Sequence, residues 1–406
     1  MSAVVLTQTT PLLSNWTGTL NGQRVLVRVD FNVPLRSNGT IADQARIIEA
    51  LPTLTFLIQE GARIILMSHL GRPKGVSKRY RLLPVAEALA TQLGQAVQYC
   101  PSPIDSAETV AMVNAMTDGQ VLLLENIRFD AREAANDPEF ARILANLGDR
   151  FVFDAFGVAH RAHASTAGIT QHLPSCIGFL VETELNYLNA TLSQPDAPKL
   201  AIIGGAKIST KLGVLQNLLG RVDQLVVGGT MMFTLLKAQG FAIGDSLYEP
   251  DLLETATAFL AAAADSPTEL YIAQDVVCAT GFKAKTATVY PTTALPDGHM
   301  GLDIGPTSVA FIDQWVQTAK IIIWNGPLGA FETPLFSSGT RAIAEAVARN
   351  TGTSVVGGGD SVQAIHDFDI DTTAISHIST GGGACLAVLE GHPLPSISAI
   401  QSCPKT

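Results

Sequence analysis

Short, predominantly apolar runs that do not alternate with polar residues, each followed by a longer stretch of helical spacing, constrain this chain more than any other feature. A strand with one face in water alternates apolar and polar residues. A continuous apolar run needs cover on both faces. Such runs occur at Val25–Val29, Ile64–Met67, Val121–Leu124 and Phe151–Phe153, and again at Leu200–Ile203, Leu225–Val227, Ile321–Trp324 and Ser354–Val356. Between them the spacing predicts helices over Asp43–Glu60, Leu83–Leu93, Asp137–Leu147 and Arg341–Arg349, the first three stopping at Gly61, Gly94 and Gly148. Strand alternating with helix predicts an α/β fold of doubly wound parallel sheets, Rossmann-like in type.

The length of 406 residues exceeds one ordinary core, so two domains are expected. Near the midpoint, Glu182–Leu192 reads as a connecting hinge helix, and the SQPDAP stretch Ser193–Pro198 breaks the pattern. The expected division is an N-terminal domain over 1–181, a helix and linker over 182–198, and a C-terminal domain over 199–391. The tail, about 392–406, is expected to pack back on the first domain. With 47% hydrophobic and 15% charged residues the chain can bury large cores, and its 35 glycines suit many tight strand-to-helix turns.

The net charge of −10 argues against a broad basic face for nucleic acid. Its distribution says more: Met1–Leu180 carries 15 Lys+Arg against 15 Asp+Glu, and Val181–Thr406 carries 11 against 21. An anion bound by the second half must be held by local groups, while the arginines of the first half need a purpose. Cys100, Cys176, Cys278, Cys385 and Cys403 form no C-x-x-C pair, so neither a zinc site nor a disulfide framework is signalled. No secretory signal is read in the opening MSAVVLTQTTPLL, and no run of about 18 apolar residues predicts a membrane span, so a cytoplasmic setting is expected.

In doubly wound sheets, ligands gather at the carboxyl ends of the strands. In the first half those ends carry Asp30-Phe31-Asn32, His69-Leu70-Gly71-Arg72, Arg128 and Arg161, with Arg46 on the first helix. Guanidinium forks match phosphate and carboxylate oxygens, so the set suits a small, multiply anionic ligand. The bland alternative is surface ion pairing, which is less apt for three arginines at strand ends. His69 and His163 suit neutral donors or packed structural roles. The second half offers Gly204-Gly205, Gly228-Gly229, Asn325-Gly326, Gly357-Gly358-Gly359 and Gly381-Gly382-Gly383. Backbone N–H groups at helix starts hold phosphate without formal charge, which suits an acidic domain, although such turns also serve packing alone. Lys207 and Lys211, at i and i+4, would share a face if a helix began there. Asp360 could hold Mg2+ together with phosphate oxygens. The Walker and dinucleotide glycine motifs are absent.

Nine segments, in order from about Arg24 to Gly391, resemble those of phosphoglycerate kinases. They are Arg28–Pro34, Ser68–Pro73 (SHLGRP), Leu122–Phe129, Phe156–Ser165 (FGVAHRAHAS), Gly204–Leu212, Gly301–Pro306, Trp324–Glu332, Gly357–Ser361 and Ser379–Ala384. The resemblance implies Mg2+-dependent phosphoryl transfer, 1,3-bisphosphoglycerate + ADP = 3-phosphoglycerate + ATP, by a monomer after hinge closure around Glu182–Leu192 and Ser379–Gly383. It implies phosphoglycerate binding by Asp30, Phe31, Asn32, Arg46, His69, Leu70, Gly71, Arg72, Arg128 and Arg161. It assigns the nucleotide to Lys211, Gly301, Asn325, Glu332, Gly358, Gly359, Asp360 and Ser361, with Asp360 on the metal. Arg46, Lys207, Gly359 and Gly382 would stabilise the moving phosphoryl group. The departures are Val158 for the usual Thr or Ser, Thr230 for a third glycine, and Cys385 for Ser. Cys385 sits where a thiol could be acidified, with a buried inert thiol the favoured reading. The competing reading is a catalytically inactive ligand-binding protein of the same fold.

Overall fold

The computed structural model describes residues 10–193 and 197–403. The opening residues 1–9, the middle of the expected linker at 194–196 and the last residues of the tail, 404–406, lie outside them. The chain divides into two compact units. One runs to Asn186 and takes up the chain again from Pro393; the other spans Tyr187–His392.

The first unit is built on six parallel strands: β1 (Arg24–Val29), β2 (Arg63–Met67), β3 (Val97–Tyr99), β4 (Val121–Leu123), β5 (Arg150–Asp154) and β6 (Ser175–Ile177). Their order is β3-β4-β2-β1-β5-β6. The central strand β1 pairs in parallel with β2 (Val25 opposite Ile64) and with β5 (Val25 opposite Arg150). After Arg24 every residue of β1 is buried, which is why its run does not alternate; Arg28 is the one polar residue in it.

The second unit repeats the plan. Its strands are β7 (Lys199–Ile203), β8 (Gln224–Val227), β9 (Ala242–Ile243), β10 (Glu269–Ile272), β11 (Asp275–Ala279), β12 (Thr288–Pro291), β13 (Ala294–Leu295), β14 (Met300–Ile304), β15 (Ile321–Asn325), β16 (Thr353–Gly357) and β17 (His377–Ile378). Six form a parallel sheet in the order β10-β8-β7-β15-β16-β17, and β12-β11-β14 make a separate antiparallel sheet. All eight runs expected as strands are strands. The antiparallel sheet, the pair β13-β9 and the sheet-edge strands β3, β6, β10 and β17 were not anticipated. They are short and partly exposed, or lack the continuous apolar signal.

Two helical expectations need correction. The single helix expected over Asp43–Glu60 is two, Ala45–Ile48 and Leu51–Gln59. Pro52 lies in the first turn of the second, where its missing N–H costs nothing; it would break a continuous helix. Lys207 and Lys211 do not share a helix face. A 3-10 turn, Ile208–Thr210, separates them, and the α-helix begins at Leu212. The helix Phe179–Ser193 carries the chain from one unit to the other, and the division falls within it.

Candidate active site

In both sheets the first strand is central and its successors lie to either side, so the carboxyl ends flank a topological switch point. In the first unit a cavity of about 250 Å³ opens there, lined by Asp30, Asn32, Arg46, His69, Gly71, Arg72, Arg128, Gly157, Val158 and Arg161. Among the described residues Arg72, Arg128 and Arg161 have no carboxylate partner, whereas Arg46 donates to Asp30 Oδ2. Burial works to raise the Asp30 carboxyl, but Arg46, with His69 and Arg28, holds it below the ordinary value. Burial lowers Arg128 to about 10, and neighbouring Arg28 and Arg161 add to the effect. The excess of cations marks a pocket built for an anion of several charges.

The loop after β2 is held rigid. Asn32 Oδ1 accepts from Gly71 N at 2.7 Å, and Arg128 donates to Gly71 O at 2.9 Å. Gly71 has φ +66°, and a Cβ there would lie 2.4 Å from the Tyr80 ring, so only glycine fits. Asn126 donates to Leu70 O and Tyr80 O, both at 2.9 Å. The side chains of Phe31 and Leu70, expected among the ligand residues, are instead in the core, 0% and 2% exposed. Apolar groups at these positions anchor the loops whose neighbours face the pocket.

In the second unit two adjoining cavities share Gly205, Ala206, Lys207, Pro327 and Asp360. One, about 330 Å³, has apolar walls from Met232, Phe233, Leu247, Phe282, Leu302 and Phe331, with Gly301 and exposed Glu332 also lining it. The other, about 480 Å³, is lined by Lys211, Asn325, Gly358, Gly359, Gly382 and Gly383. The helices Gly359–Asp367 and Gly382–Leu389 start there without a side-chain cap, leaving N–H donors for an anion. Lys211 is buried and donates to Asn325 Oδ1. Burial lowers it to about 8. Asn325 Nδ2 is buried without a hydrogen-bond partner among the described residues, a donor left for a ligand. Ser361, expected to touch the ligand, is fully buried and accepts from Gly326 N at 2.7 Å, fixing the loop after β15. Cys385 is buried beneath Gly357.

The apolar cavity was largely missed in sequence. Phe233 and Phe282 come from a helix and a loop whose apolar residues read as core or surface, and Gly301 sits on the unanticipated β14. Of the residues that support the basic pocket from behind, Glu133 gave no signal, and Ser165 was noted only as the end of the Phe156–Ser165 segment, with no role.

The phosphoglycerate kinase family model matches residues 17–392. The chain is similar to the phosphoglycerate kinase of Acaryochloris marina, 50% identical over 388 residues, covering 94% of this chain and 96% of the relative. It is similar to a wheat (Triticum aestivum) protein named cytosolic phosphoglycerate kinase, 48% identical over 387 residues with the same coverage. Among solved structures, that of phosphoglycerate kinase from Coxiella burnetii superposes with a TM-score of 0.87 at 41% identity, covering 96% of this chain and 98% of that one. The enzyme from Pyrococcus horikoshii gives 0.84 at 30% identity, covering 97% and 98%. With an anion pocket on one parallel sheet, paired cavities on the other and relatives matched along nearly their whole length, this chain belongs to the phosphoglycerate kinase family.

Proposed function

We propose that the chain catalyses 1,3-bisphosphoglycerate + ADP = 3-phosphoglycerate + ATP. The observation that carries this is the convergence of Arg46, His69, Arg72, Arg128 and Arg161 in one pocket, in a member of this family. Asp30, Asn32 and these five bind the phosphoglycerate, and Gly71 presents backbone. The apolar cavity takes the base, with Gly301 at its wall and Glu332 reaching the ribose. Lys211, Asn325 and the N–H groups at Gly358–Gly359 and Gly382 take the phosphates. No general base is needed, because the attacking group in the ATP-consuming direction is a carboxylate already ionised at neutral pH. The protein's task is to position and neutralise, and Arg46, Lys207, Gly359 and Gly382 do so at the moving phosphoryl group.

Among the described residues no cluster of three His, Cys, Asp or Glu forms a metal cage. A single exposed carboxylate, Asp360, at the rim of both cavities fits Mg2+, which keeps phosphate oxygens and water as most of its ligands. When bound, the ion would neutralise phosphate charge. The two ligands must meet, so the reading includes a closing motion, with the helix Phe179–Ser193 and residues 379–383 as hinge. The reading also takes the chain to act as a monomer in the cytoplasm. No helix among the described residues is long and apolar enough to cross a membrane.

The test is ATP consumption with 3-phosphoglycerate and Mg2+, coupled to reduction of the product. Wild type should turn over, and Lys207→Ala and Arg46→Ala should each lose about 10²–10³-fold in kcat. Binding of both ligands without turnover would return the chain to the class of inactive binding proteins.

A further inference from the structure

Behind the basic pocket runs a chain of buried polar groups that no ligand assignment uses. Arg28 is fully buried. Its Nε donates to Ser165 Oγ at 2.9 Å, and its Nη1 donates to the carbonyls of Val29 and Met67. Nη2 lies 3.1 Å from His69 Nδ1. Ser165 Oγ in turn donates to Glu133 Oε1 at 2.7 Å, and Ser165 N donates to Glu133 Oε2 at 3.0 Å. Glu133 is 0% exposed. One hydroxyl thus bridges a buried carboxylate and a buried guanidinium, accepting from one and donating to the other.

The direction of the last contact follows from elementary chemistry. Arginine has donors only, so the ring nitrogen facing it must offer a lone pair. The proton of His69 then sits on Nε2. That nitrogen has no hydrogen-bond partner among the described residues, and the ring lines the anion pocket.

We propose that Arg28, held by Ser165 and Glu133, is a positioning residue that fixes His69 as its Nε2–H tautomer, so that the ring offers an uncharged donor to the phosphoglycerate. This rests on the phosphoglycerate reading of the pocket. The groups facing His69 are Arg28 on β1, Asp30 just after it, Arg46 on the following short helix and Arg128 after β4. Burial holds the ring well below the ordinary histidine pKa; Asp30 opposes this, and the three arginines reinforce it. Asp30 Oδ1 is 3.8 Å from Nδ1. If Arg28 released that nitrogen, the carboxylate would be positioned to draw a proton onto it, and the ring would titrate near its usual range. The relay therefore keeps phosphoglycerate binding free of a histidine titration between about pH 6 and 8.

Long-range nitrogen-15 correlation spectra of the imidazoles in the full chain test this directly, with His69 assigned through His69→Gln. Wild type at neutral pH should show an unprotonated Nδ1 and a protonated Nε2. Ser165→Ala should give mixed tautomers or an imidazolium. It should also bring a histidine inflection into the pH profile of KM for 3-phosphoglycerate, raising KM about tenfold on the alkaline side while KM for ATP holds. A wild-type ring protonated on Nδ1, or charged at neutral pH, overturns the proposal. So does a Ser165→Ala protein with the wild-type tautomer and a flat profile. If Ser165→Ala does not fold, the wild-type spectrum alone decides. Absence of turnover with 3-phosphoglycerate would remove the functional reading and leave the tautomer result standing.

Discussion

Lys211 shows how burial and chemistry meet at a single residue. In the free protein burial lowers it to about 8, and an arriving phosphate would raise it again. Binding should therefore take up a proton at pH above about 8, and affinity should fall as pH rises through that value. Calorimetry of ATP binding in buffers of different ionisation enthalpy should show this uptake, and Lys211→Met should abolish it together with most of the affinity. A second residue-scale consequence follows from burial of Asp154, which sits fully buried at the end of β5 and accepts from Leu180 N and Val181 N of the linking helix. Burial pushes its carboxyl up to about 7, against an unfolded value of about 3.9. The folded state then holds the extra proton between those values, so this group's contribution to stability declines as pH rises from about 4 to 7. Asp154→Asn keeps an acceptor for the helix start, and urea denaturation across that range should show a shallower decline than wild type.

At the scale of elements, strand-end loops of the second unit pack backbone on backbone. Gly326 has φ +98°, and a Cβ there would lie 2.1 Å from Gly204 O. Gly359, at a helix start, has nothing within 4 Å of the same atom. Gly326→Ala should cost on the order of 3–5 kcal/mol in urea denaturation. Gly359→Ala should leave stability within about 0.5 kcal/mol yet raise KM for ATP, because its methyl enters the space proposed for phosphate. The contrast marks the limit of what a sequence can say. Both residues read as glycine-rich turns before helices, and only the structure separates one that packs from one that faces the cavity. Strands buried on both faces were legible because burial forces a predominantly apolar run that does not alternate. The arginines were legible because charge at a strand end has few structural excuses. The relay of Arg28, Ser165 and Glu133 was not, since its members lie far apart in sequence and meet only when β1 is buried.

For the molecule as a whole, the chain's path matters as much as its sheets. The helix Pro395–Gln401 returns to the first unit and buries Ile397 and Ile400 at 2% and 0% exposure. Ser396 donates to Arg161 O at 3.1 Å and, through its backbone, to Ala159 O at 3.3 Å, so the tail supports an arginine of the anion pocket. Ile400→Ala should destabilise the first unit by about 2–4 kcal/mol. It should raise KM for 3-phosphoglycerate more than KM for ATP, and hydrogen exchange should localise the loosening to β6 and the residues around Arg161. Gln401 also donates to Thr10 Oγ1 at 2.9 Å, tying the returning helix to the segment ahead of β1. On the ribosome this imposes a wait. At roughly 5–20 residues per second the first unit stands without its last helix for on the order of tens of seconds while the second is made. Its early-formed sheet must stay soluble through that interval with part of β6's packing uncovered, and the returning helix Pro395–Gln401 acts as the latch that ends its exposure to chaperones and proteases.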